Sequence, residues 1–95
     1  MEIREFQARI EAIYLERDQA RGLAGTHMWF CEEVGELTRA LRRGQRDELE
    51  GEFADVLAWL ATLASMAGVD LEAAASAKYH RGCPRCAATP CNCAK

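Results

Sequence analysis

Residues 32–60 read EEVGELTRALRRGQRDELEGEFADVLAWL, and their pattern decides the fold class. Before Gly44, the apolar residues Phe30, Val34, Leu37 and Leu41 recur at helical spacing. After it, Leu49, Phe53, Val56, Leu57, Leu60 and Leu63 resume the rhythm. This recurrence marks amphipathic helices, and no segment of the chain alternates as a strand does. Gly44 suits a left-handed helix stop, and Arg39, Arg42 and Arg43 suit the negative end of the helix dipole. With Arg46 they read as a solvated basic face. A connection as short as RGQRD (43–47) favours antiparallel neighbours.

Working outward, Ile3, Phe6, Ile10, Ile13 and Tyr14 predict a first helix over about residues 2–20. The glycines of RGLAGT (21–26) break it, and Thr26 is the expected N-cap of a second helix from His27 to Arg43. Asp47 and Glu50 have the spacing of a capping box and open a third helix that runs to Gly68. Asp70 is placed to cap a fourth, LEAAASAKYH (71–80), whose alanines suit close packing. The expected architecture is all-α: a four-helix bundle over residues 1–82, then a cysteine-rich knuckle over 83–95. So small a bundle has a thin core and commonly needs oligomerisation, so a homodimer or homotetramer is expected.

A net charge of −3 and a pI near 5.4 argue against binding of nucleic-acid polymers, which calls for a basic footprint. No apolar run approaches the roughly 18 residues of a membrane span. MEIREFQARIEAIY carries acids through an amphipathic pattern, unlike a signal or transit peptide, so a cytoplasmic location is expected. Of five cysteines, Cys31 stands alone and reads as a small buried residue. Cys83, Cys86, Cys91 and Cys93 form C-x-x-C and C-x-C pairs, the four thiols a structural Zn2+ takes. Disulfides, a free tail or redox chemistry are the alternatives.

Turning each residue by 100° separates two faces on each central helix. On the second helix, Trp29, Glu33, Glu36 and Ala40 lie about 100° round from the apolar stripe, with Glu32 beyond them. On the third, Glu48, Glu52, Asp55 and Trp59 lie about 110° round from theirs. The apolar arcs are expected to pack the core and the acidic arcs to lie off it. In an antiparallel pair, Glu33 and Glu36 can face Glu52 and Asp55. Four converging carboxylates require a counter-charge, and oxygen-only ligands select Mg2+ or Mn2+, metals usually shared with substrate phosphates. The competing readings are a solvated acidic face, or a zinc-stabilised helical interaction module that binds a basic partner without catalysis.

Glu32-Glu33-Val34-Gly35-Glu36 and, fifteen residues on, Glu52-Phe53-Ala54-Asp55 resemble the EExxE…ExxD pattern of MazG-like nucleotide pyrophosphohydrolases. These belong to the all-α NTP pyrophosphatase superfamily. The resemblance implies hydrolysis of a nucleoside triphosphate to monophosphate and pyrophosphate, as in nucleotide-pool cleaning. A phosphoribosyl-ATP or dUTP-type substrate is open within the same superfamily. It further implies Mg2+ ligation by Glu33, Glu36, Glu52 and Asp55, with Glu32 as an auxiliary acid. Trp29 and Trp59 would stack on the base, and His27 would contact base or phosphate. Lys78 and Arg81 are the candidates for a phosphate clamp, although the family's usual asparagine and arginine after that lysine are not evident here.

Overall fold

The computed structural model describes residues 1–94; Lys95, the end of the expected knuckle, lies outside the described residues. Among the described residues there are four α-helices and no strands: α1 (Ile3–Arg21), α2 (Leu23–Arg43), α3 (Arg46–Met66) and α4 (Leu71–Tyr79). No single helix is long and apolar enough to cross a membrane.

Glycine conformation sets two of the breaks. Gly44 sits at φ 68°, the left-handed position an L side chain disfavours, and its N–H reaches Ala40 O at 2.9 Å to close α2. Gly22, at φ 95°, separates α1 from α2, and its N–H donates to Asp18 O. The break falls within the expected RGLAGT stretch, but α2 starts at Leu23, four residues before the expected His27. Thr26 is therefore not an N-cap but a buried residue inside α2, whose hydroxyl bonds back to Gly22 O at 2.8 Å. At α3, Gln45 holds the N-cap position and no side chain caps the helix; Asp47 and Glu48 instead complement the dipole from its first turn. Asp70 does cap α4, its Oδ1 accepting the Ala73 N–H at 3.0 Å.

α2 and α3 form a hairpin across Gly44-Gln45, and α1 packs mainly along α3. The faces they use differ from the expected ones. On α2 the acidic arc forms the seam: Ala40 is fully buried, and Glu33 and Glu36 are half-buried. Val34 and Leu41 of the apolar stripe are 39% and 54% exposed. On α3, Phe53 and Leu60 are likewise exposed, whereas Ala61 and Thr62 are buried. The small Ala40 in the seam lets the helices approach closely, and Glu33, Glu36 and Glu52 close in with it. Because the two right-handed helices run in opposite directions, a similar angular offset from the seam carries both apolar stripes to the same side of the hairpin. Thr62 and Ser65 bond to α1 on the other side.

α1 is held by polar contacts as much as by Ile10, its one buried apolar side chain. Gln7 is buried, donates to Ser65 Oγ and Val69 O, and accepts from the Leu71 N–H. Ile3, Ile13 and Tyr14, read from sequence as core, are exposed. α4 lies against the start of α1, where Arg4 pairs with Asp70 and Glu72 at 2.9 and 3.0 Å. It buries no residue, so its alanines are not close-packed as expected. Cys31 is exposed, not buried.

Candidate active site

The α2–α3 seam carries carboxylates where a bundle normally carries aliphatic groups. Glu33, Glu36 and Glu52 each offer an oxygen, and these oxygens lie within 4.8 Å of one another. Glu33 Oε2 and Glu52 Oε2 are buried with no hydrogen-bond partner. Burial pushes the Glu33 carboxyl up to about 7, helped by the adjoining Glu36 and by the charges of Asp55 and Glu52. Glu52 is raised in the same direction, first by burial and then by Glu36 and Asp55. Orphaned buried carboxylate oxygens in a like-charged cluster are the reverse of a stable design in water. They fit a hard divalent cation, which would supply the missing partner.

Asp55 is exposed and stands at the edge of this group, where it joins Glu33 in lining a cleft of about 490 Å3. That volume is within the range of small-molecule sites. Trp29 and Trp59 form one wall. They stack across the two helices with ring centroids 6.3 Å apart and planes 15° apart. The Arg21 guanidinium lies over Trp59, 5.3 Å from the ring centre. From α1, Tyr14, Arg17 and Asp18 complete the lining.

Beneath the wall, Asp18 is 3% exposed yet satisfied: Oδ2 accepts from Thr62 Oγ1 at 2.7 Å, and Oδ1 from Arg21 at 2.8 Å. This Thr62–Asp18–Arg21 chain ties α3 to α1 and fixes the guanidinium on the indole. None of the three was singled out from sequence. The signal was there: Gln7, Ile10, Asp18 and Arg21 follow one helical stripe, so the polar members share the face of the buried Ile10.

Other expected participants are elsewhere. Glu32 is exposed and outside the cluster. His27 is exposed, stacked on Phe30 and 3.7 Å from Cys31 Sγ, and does not line the cleft. Lys78 and Arg81 are exposed and also absent from it, with Lys78 Nζ over the Tyr79 ring. The cations that line the cleft are Arg17 and Arg21, while Arg39 lies close enough to Glu52 to favour its charged form.

The acid pattern is matched by a family model. Residues 22–87 fit the MazG nucleotide pyrophosphohydrolase domain. The chain belongs to the MazG family. The match takes in α2, α3, α4 and the first two cysteines of the tail, and so both halves of the acidic seam. No curated protein sequence matches the chain. MazG membership makes the chain one of a pyrophosphohydrolase group that acts on nucleotides, and its acidic seam is the feature to which that chemistry can be attached.

A second cluster closes the chain. The Sγ atoms of Cys83, Cys86, Cys91 and Cys93 lie within 4.8 Å of one another, in an arrangement that could bind a metal. Backbone N–H groups of Cys86 and Arg85 lower the Cys83 thiol to about 6, while the neighbouring sulfurs push Cys93 up to about 11.

Proposed function

We propose that this MazG protein is a Mg2+-dependent nucleoside triphosphate pyrophosphohydrolase of the cytoplasmic nucleotide pool, releasing pyrophosphate and a nucleoside monophosphate. The observation that carries the reading is the pair of buried, unpartnered oxygens on Glu33 and Glu52, set beside Glu36 at the foot of the aromatic cleft. Glu33, Glu36, Glu52 and Asp55 would hold Mg2+ or Mn2+. A bound cation of this kind neutralises phosphate charge and lowers the pKa of a coordinated water. The protein's own part is positional. Trp29 and Trp59 present a flat apolar surface on which a base can stack, Arg21 stiffens that surface, and Arg17 adds positive charge at the cleft. The carboxylates gather oxygen donors at the end of the cleft where the metal would sit.

Incubation with a panel of NTPs and dNTPs, with products resolved as pyrophosphate or orthophosphate, tests the reading. Pyrophosphate release that needs Mg2+ or Mn2+ and disappears in Glu36→Gln and Asp55→Asn is expected. No turnover with either metal, or orthophosphate alone, would overturn it.

The working form in this proposal is a homo-oligomer. The chain exposes 7031 Å2, against about 5,500 Å2 expected for a folded monomer of its mass. The excess, roughly 1,500 Å2, exceeds one partner's share of a standard interface. The co-facing stripes of α2 and α3, with Val34, Leu41, Phe53 and Leu60 all exposed, offer an uncharged, self-complementary surface for a second copy. Two hairpins meeting there would build the four-helix core that one chain lacks.

A further inference from the structure

We propose that Cys83, Cys86, Cys91 and Cys93 form a structural zinc site that rigidifies the chain beyond α4, independently of the catalytic reading above. Zinc bound tetrahedrally by four thiolates at about 2.3 Å requires sulfurs about 3.8 Å apart. Cys83 Sγ lies 3.6 Å from both Cys91 Sγ and Cys93 Sγ, and Cys86 Sγ lies 4.0 Å from Cys91 Sγ. The sulfurs thus already stand at ligand separation around a common point, as four free thiols.

The backbone is built around that point. The Asn92 N–H donates to Cys86 Sγ and the Cys93 N–H to Cys91 Sγ, each at 3.3 Å, as donors to a thiolate should. The Ala87 N–H reaches Cys83 O at 2.7 Å, and the Cys83 N–H reaches Ala88 O at 3.1 Å, closing the first C-x-x-C pair into a tight turn. Ala87 takes a positive φ of 61° to complete it. Gly82, at φ 112°, has no room for a side chain: a Cβ there would sit 2.6 Å from Thr89 Oγ1 and 2.9 Å from Ala88 O. Residues 83–93 bury few apolar groups, so sulfur–metal bonds are the available source of order.

Zinc with four thiolates is a doubly negative centre, and in the chain Arg85 lies within the first ligand pair and Arg81 two residues before it.

Metal content of the full-length protein, purified under reducing conditions without chelator, tests the site without reference to turnover. One zinc per chain is expected, unchanged in Cys31→Ser and lost in Cys86→Ser. Cobalt exchange should give the intense visible absorption of a tetrahedral thiolate site. Gly82→Ala keeps every ligand and should weaken zinc retention about tenfold against a competing chelator, as loss of supporting geometry does. Circular dichroism checks that the helices of both variants remain. Iron in place of zinc, no bound metal, or full zinc retention in Cys86→Ser would each overturn the proposal.

Discussion

Removing divalent metal should make the stability of this protein fall as pH rises through neutrality, the opposite of acid denaturation. Glu33 is responsible. Its carboxyl titrates near 4.5 in an unfolded chain and is pushed up to about 7 in the folded one, chiefly by burial and then by Glu36. Between those values the folded state holds the extra proton, so stability declines with rising pH and the loss is complete above about 7. Two and a half units correspond to about 3.4 kcal/mol. Glu33 is half-buried, and solvent screening reduces this to about 2 kcal/mol. Glu52 is raised too and adds in the same direction. Two groups have the opposite sign. Asp70, lowered by the Ala73 N–H and then Arg4, loses its contribution only below about pH 4. Cys83, lowered to about 6 by the Cys86 and Arg85 N–H groups, gains stability above about pH 6, so the Glu33 effect is read as the difference between the parent and Glu33→Gln.

Thermal melts in EDTA at fixed protein concentration should therefore lose about 10 °C more between pH 5 and pH 8 in the parent than in Glu33→Gln. Mg2+ at about 100 times its Kd should restore about 2.7 kcal/mol at pH 8, because only the folded, deprotonated cluster binds it. Glu33→Gln keeps only the slopes of Glu52 and the cysteines. Parent and Glu33→Gln profiles that run parallel between pH 5 and pH 8 would refute the reasoning.

Three further outcomes are expected. Thr62→Val leaves Asp18 Oδ2 buried without its donor and should cost about 1–3 kcal/mol in urea denaturation. Trp59→Ala removes a stacking surface worth about 1–3 kcal/mol, so KM for a nucleoside triphosphate should rise about 10- to 100-fold, with a smaller change in kcat. Phe53→Glu puts a charge in the middle of the exposed α2–α3 stripe, and sedimentation velocity should then show monomer at concentrations where the parent is assembled.

Much of this was legible in the sequence because helix periodicity and glycine punctuation are local. The four helices, the Gly44 stop and the Asp70 cap all follow from neighbours within one turn. The grouping of Glu33, Glu36 and Glu52 followed from spacing once the hairpin was antiparallel. What periodicity cannot tell is which of two faces a helix turns inward. The apolar stripe is the usual choice, yet here the fully buried Ala40 lies on the seam side of α2, where it allows an approach that Val34 would block, while Thr62 of α3 faces α1. Thr26 misled for a related reason: a threonine one turn after a glycine caps only if the helix starts beside it, and Gly22 had already taken the break. Asp18 and Arg21 were hidden because inward polar residues are legible only once their partner Thr62 is known to lie opposite.

The inverted hairpin has a thermodynamic consequence for the proposed enzyme. Carboxylates in the seam push α2 and α3 apart, and the apolar stripes stabilise the pair only when a second hairpin covers them. Metal and partner thus favour the same closed arrangement from opposite sides of one two-helix element, with Glu33 beside Val34 and Glu52 beside Phe53. Two ligands that favour one state must strengthen each other's binding by an equal factor. Mg2+ should therefore tighten self-association, and the assembled form should bind Mg2+ more tightly, by about 5-fold or more for a coupling of 1 kcal/mol. Sedimentation equilibrium with and without Mg2+ gives one side of this cycle, and calorimetric Mg2+ titration of the parent and of monomeric Phe53→Glu gives the other. If Mg2+ leaves the association constant unchanged while still binding the cluster, the hairpin is rigid without its partner and the two sites are independent.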